Sequence, residues 1–156
     1  SSTAPVRVAY VEALGFFGRK ALPEITPFLA DADESVRDTA ANEWTMALDE
    51  IENDASRLAI AEKALAVVSD DDVLESISGV YLGVDEECLA VASLIRIIDG
   101  ECSDAAREKA KETYSYVTGD EWISRAAAEE KMIRDNEDNN EDNNNENQDD
   151  EDQQDQ

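Results

Sequence analysis

The sequence predicts an all-α fold: a solenoid of about 3.5 to 4 helical hairpins over residues 1–134, then a disordered tail over residues 135–156. Three observations predict it. One segment type recurs four times. Each copy has the apolar spacing of a helix, and the stretches between copies end alike on aspartate.

The copies begin at Val6-Arg7-Val8-Ala9-Tyr10, Val36-Arg37-Asp38-Thr39-Ala40, Leu74-Glu75-Ser76-Ile77-Ser78 and Ala106-Arg107-Glu108-Lys109-Ala110. Their second positions stand 30, 38 and 32 residues apart, within the range of stacked helical hairpins. Val36, Ala40, Trp44, Ala47, Leu48 and Ile51 fall on one helical stripe, as do Ala106, Ala110, Thr113, Tyr114 and Val117. Second helices lie between the copies, marked by Leu58, Ala61, Leu65 and Val68 and by Val91, Leu94, Ile95 and Ile98.

The expected helices cover about 4–18, 22–30, 34–52, 56–69, 72–82, 86–98 and 103–118. In the second of these, Pro23 suits a first turn. Pro27 requires a late start or a kink, because proline has no N–H to donate. Glu121-Trp122-Ile123 runs extended. Ser124 then caps a docking helix through about Arg134, which Trp122 and Met132 fasten to the last hairpin.

The second helices end on Asp31, Asp70 and Asp99, whose carboxylates can accept from the free N–H groups opening the next helix. Asp33, Asp71 and Ser103 are alternative caps. Gly15, Gly18, Gly83 and Gly119 mark C-terminal stops.

The chain has 39 acidic and 13 basic residues, a net charge of −26. From Asp135 onward only Asp, Glu, Asn and Gln occur, with 11 acids and no base, so residues 1–134 keep a net of −15. That field excludes nucleic acid and anionic membrane as partners and favours a basic or cation-bridged one. The tail admits weak divalent-cation binding. Arg107, Lys109 and Lys111 alternate with Glu108 and Glu112 and read as a solvated helix face.

There is no histidine, which removes Ser-His and Cys-His nucleophiles and His-ligated metals. Asp70-Asp71-Asp72 lacks calcium-loop spacing and reads as a helix cap. Cys88 follows Asp85, Glu86 and Glu87, charges that oppose a thiolate. It and Cys102 open successive helices, too far apart for a disulfide, so two reduced thiols are expected. Catalytic, cofactor-binding and metal-ligating residues are therefore all expected to be absent.

The pattern Val-Arg-x-x-Ala-x-x-x-Leu-Gly, preceded by an apolar-x-Asp stop, is best matched from Leu29-Ala30-Asp31 through Val36-Arg37 to Ala40. It resembles HEAT repeats of the phycobilisome-lyase-like type over residues 4–118. Tyr116–Trp122 is similar to the closing segment of bacterial HEAT proteins. Glu75 in the arginine slot and Ala106 in the valine slot depart from the pattern. The resemblance implies a right-handed, armadillo-like superhelix with the signature residues Arg7, Leu14, Asp31, Val36, Arg37, Ala40, Asp70, Asp99 and Arg107. It also implies that Asp31 pairs with Arg37 or Arg7.

The function expected is a non-enzymatic scaffold that binds a protein or peptide on a concave face lined by the second helices. Two alternatives stand beside it: a lyase-like or chaperone-like accessory for a prosthetic group, and a fragment of a larger repeat protein. The first hairpin opens without a polar cap, from which preceding repeats are expected. Cytoplasm and periplasm both stay open.

Overall fold

The computed structural model describes residues 2–146, and among these every regular element is helical. Two compact units divide the chain after Trp122.

In the first unit, α1 spans Ala4–Gly15 and opens with Pro5 in its first turn. The chain then makes a 3-10 turn at Gly18–Ala21, a single α-turn α2 at Leu22–Ile25, and a second 3-10 turn at Thr26–Ala30. This replaces the continuous helix expected over 22–30. Pro27 supplies no N–H, so the α-helical ladder cannot run through it and the segment tightens into 3-10 geometry. Gly18 has φ +57°, a left-handed conformation that lets the chain turn sharply out of α1.

The remaining helices of this unit are α3 Glu34–Asp49, α4 Asp54–Leu65, α5 Asp71–Leu82, α6 Glu87–Asp99 and α7 Asp104–Thr118. Caps set most of these starts. Asp33 accepts from Ser35 N–H, Asn53 from Ser56 N–H, Asp70 from Asp72 and Val73 N–H, and Ser103 from Ala106 N–H. Asn53 starts α4 earlier than expected, and α3 stops at Asp49 rather than residue 52. Gly119 ends α7 at φ +75°, its N–H donating to Ser115 O.

The helices contact one another in two rows. In one row α1 packs on α3, α3 on α5 and α5 on α7. In the other, the Thr26–Ala30 turn meets α4, and α4 meets α6. The rows are joined where Thr26–Ala30 packs on α3, α4 on α5, and α6 on α7. Between them lie Leu29, Val36, Ala40, Trp44, Leu74 and Leu94, all fully buried. Deep in the core the Tyr81 hydroxyl meets Ser93 Oγ at 2.9 Å, and burial pushes the Tyr81 phenol well above its usual range. The Trp122 ring meets Tyr114 edge-on, centroids 5.2 Å apart.

The second unit contains α8, Arg125–Glu146. Ser124 Oγ accepts from Ala127 N–H at 3.2 Å. Met132 is half-buried within it. The helix passes the end expected near Arg134, so the acidic segment is helical through Glu146. Lys131 and Asp135, one turn apart and 3.2 Å from each other, tie the helix across that boundary. The rest of the expected tail, 147–156, lies outside the described residues.

Candidate functional site

The segments that lead into α3, α5 and α7 carry a recurring set of arginine and aspartate contacts. Arg7, in the first turn of α1, reaches the next junction and grips Asp31 with two parallel bonds, Nε to Oδ2 and Nη2 to Oδ1, each 2.8 Å. Asp31 Oδ1 also accepts from Asp33 N–H at 2.9 Å. The Arg7 hydrogen bonds hold the Asp31 carboxyl below the usual carboxylate range, against the desolvation that opposes them.

Arg37, in the first turn of α3, makes a similar contact with the aspartate before α5. Its Nε donates to Asp70 Oδ2 at 3.2 Å, and Nη2 lies 3.0 Å from the same oxygen. Its Nη1 donates back to the carbonyls of Asp31 and Ala32 at 2.9 and 3.2 Å. Asp31 therefore meets both arginines, Arg7 through its carboxylate and Arg37 through its main chain. A first-turn arginine opposes the helix dipole; here its charge is taken up by orphan carbonyls behind and a carboxylate ahead.

Arg107 keeps only the backward half. It donates to the carbonyls of Ile98 at 2.9 Å and Gly100 at 3.1 Å, with Asp104 at 3.3 Å. In the slot between, Glu75 inverts the charge and accepts from Lys109 Nζ of α7 at 2.7 Å. Lys109 is clamped again by Glu112 at 2.7 Å. These two carboxylates, Glu112 first, raise its pKa. The basic cluster on α7 is thus not simply a solvated face, since Lys109 bridges two helices. Asp99 is the exposed last residue of α6, and Ser103 caps α7 instead. Of the remaining signature residues, Val36 and Ala40 are fully buried and Leu14 nearly so.

The second row has its own cross-ties, which single-helix reasoning did not find. Arg96 of α6 grips Glu62 of α4, with Nη2 to Oε1 at 2.6 Å and Nε at 3.2 and 3.3 Å from its two oxygens. Asp85 N–H donates to Asp54 Oδ2 at 3.2 Å, bringing the starts of α4 and α6 together. Their neighbours Glu52, Glu86 and Glu87 are exposed, so this edge is strongly acidic. The only available signal was spacing: these tied pairs are opposite charges or cap groups about one repeat apart.

Three shallow hollows accompany these ties. One of about 460 Å³ borders Asp31, Arg37, Val67 and Asp70. Another, about 150 Å³, lies over Glu62, Arg96 and Cys102. A third, about 260 Å³, runs between α5 and α7 beside Leu82, Lys109 and Tyr116. Cys88 and Cys102 are half-buried and form no disulfide. Among the described residues, no three acidic or thiol side chains converge to hold a metal ion, and no helix is long and apolar enough to cross a membrane. No protein-family model, curated protein or solved structure matches this chain.

Proposed function

We propose that residues 4–118 form a right-handed solenoid of HEAT-like hairpins that serves as a scaffold for a protein or peptide partner. One observation carries the reading: the polar ties after the first, Arg7–Asp31 at 24 residues, recur at an offset of 31 to 35 residues. Arg37 meets Asp70 at 33 residues, Glu62 meets Arg96 at 34, and Glu75 meets Lys109 at 34. Ser103 Oγ reaches Val68 O at 35, Arg19 N–H reaches Glu50 at 31, and Asp85 N–H reaches Asp54 at 31. A closed bundle brings together helices at many offsets. A stack repeats one.

Such a stack presents its second helices as a continuous surface, here bounded by the acidic edge at Glu52, Asp54 and Asp85–Glu87. A net charge of −26 selects a basic partner and accelerates its approach at low salt. The test is binding of a lysine-rich helical peptide, followed by fluorescence anisotropy from about 50 to about 500 mM salt. Affinity should fall steeply with salt. Neutralising Glu52, Glu86 and Glu87 to glutamine should weaken binding more than neutralising three acids beyond residue 135. Binding indifferent to salt, or to the position of the neutralised charges, would count against the reading.

A further inference from the structure

Glu75, Ser78 and Leu82 of α5 border the hollow of about 260 Å³ from one side, and Lys109, Glu112 and Tyr116 of α7 from the other. Leu82 and Tyr116 are 61 % and 72 % exposed, so apolar side chains stand open to solvent there. The hydroxyls of Ser78 and Thr113 donate to main-chain carbonyls of their own helices, Glu75 O at 2.8 Å and Lys109 O at 2.7 Å. The Lys109 ammonium is held between Glu75 Oε2 and Glu112 Oε2, each 2.7 Å away. Each of these carboxylates uses one oxygen on that tie and is at least half exposed, which leaves the other oxygen able to accept. The groove therefore offers acceptors and an aromatic ring rather than donors.

Gly79 lies on the same stripe of α5 as Glu75 and Leu82, one turn or so from each. Glycine weakens a helix interior relative to alanine, and neither usual reason for it holds at this position. Its φ is not positive, and a Cβ there would meet no atom within 4 Å. What glycine leaves is an exposed strip of α5 backbone beside the groove, which a second chain can approach closely.

We propose that the α5–α7 groove receives an arginine side chain of a partner protein, whose main chain passes over Gly79. Size, charge and shape select that occupant. The hollow is smaller than the ~300–1,000 Å³ of small-molecule sites and suits a single side chain. α5 carries three acids and no base, and α7 carries three of each, so the two helices together have a net charge of −3. Lys109 is already offset by its two carboxylates, so the groove itself still favours a cation. An arginine lays its stem along Leu82, sets its guanidinium against the Tyr116 ring and donates to the second oxygens of Glu75 and Glu112. Lysine is a compact, strongly hydrated charge and has no planar fork to share between ring and carboxylates. This surface belongs to the first row of helices and is separate from the acidic edge at the starts of α4 and α6.

The test titrates two alanine-rich peptides, identical except for arginine or lysine at the same positions, into the isotope-labelled full chain. Amide nuclear magnetic resonance follows binding up to about 1 mM peptide. The Gly79 and Tyr116 signals should move and saturate, with the arginine peptide bound about threefold more tightly or better. Gly79→Ala should raise Tm by about 4 °C. Gly79→Leu should weaken arginine-peptide binding about tenfold and leave the far-UV circular dichroism unchanged. Tyr116→Ala should weaken it about threefold. Neutralising Glu52, Glu86 and Glu87 should leave the Gly79 shift in place. Unmoved Gly79 and Tyr116 signals overturn the proposal, as do equal affinities for the two peptides or a Gly79→Leu variant that binds like wild type. A Gly79→Ala variant no more stable than wild type also overturns it, by giving the glycine a structural purpose. A peptide that moves only α4 and α6 signals sustains the acidic edge and removes this site.

Discussion

Replacing Asp70 by alanine removes two interactions from one carboxylate. Its Oδ1 caps α5 by accepting from the N–H groups of Asp72 and Val73, each at 3.1 Å, and its Oδ2 holds Arg37 of α3. Loss of an N-cap costs about 1 kcal/mol. The ion pair is shielded on both sides, with 20 % and 28 % of the two side chains exposed, and a pair of this kind contributes about 0.5–1 kcal/mol. Together Asp70→Ala should cost about 2 kcal/mol, or about 8 °C in Tm for a unit of this size. Asp70→Asn keeps an acceptor for the cap and should lose only about 0.5–1 kcal/mol. Asp71→Ala removes neither the cap nor the pair and should be nearly silent. Urea denaturation of the three variants measures the differences, and a double-mutant cycle with Arg37→Ala isolates the pair. An Asp70→Ala variant no less stable than Asp71→Ala, or a cycle with no coupling, would refute the junction reasoning.

Other outcomes follow from the same geometry. Asp31 has a folded pKa below its unfolded value, so its contribution is fully present above about pH 4 and is lost as pH falls through the folded pKa. The stability gap between wild type and Asp31→Asn, measured by urea denaturation from pH 7 to pH 2, should therefore be constant above about pH 4 and narrow progressively below it; a gap as large at pH 2 as at pH 7 contradicts it. Gly119→Ala meets open space at φ +75° and should cost about 1 kcal/mol of backbone strain alone. Gly18→Ala also drives its Cβ into the Glu50 carboxylate, which accepts from Arg19 N–H, and should cost about 2 kcal/mol or more. Thermal melts that rank the two glycines the other way would contradict that assignment.

The helices were legible because their signals are local. Apolar stripes such as Val36, Ala40, Trp44, Ala47 and Leu48 set the buried face of α3, and the residues that cap α3, α5 and α7 were all among the candidates at their junctions. What was not legible is longer in range. Whether Asp31 or Asp33 caps α3 depends on Arg7, 24 residues away, which takes up the Asp31 carboxylate. The Glu62–Arg96 and Glu75–Lys109 ties, each 34 residues apart, cannot be read without knowing that α4 meets α6 and α5 meets α7. Pro27 announced a disturbance, but not that 3-10 turns would flank a single α-turn.

The stacked arrangement itself is tested most directly by methyl-to-methyl nuclear Overhauser contacts in a chain labelled at Ala, Val, Leu and Ile. The account predicts strong contacts between α1 and α3, between α3 and α5, and between α5 and α7, the neighbours of one row. It predicts none between α1 and α7, at opposite ends of that row. Contacts joining Val11 or Leu14 of α1 to Ala106 or Ala110 of α7 would close the row into a bundle and contradict it.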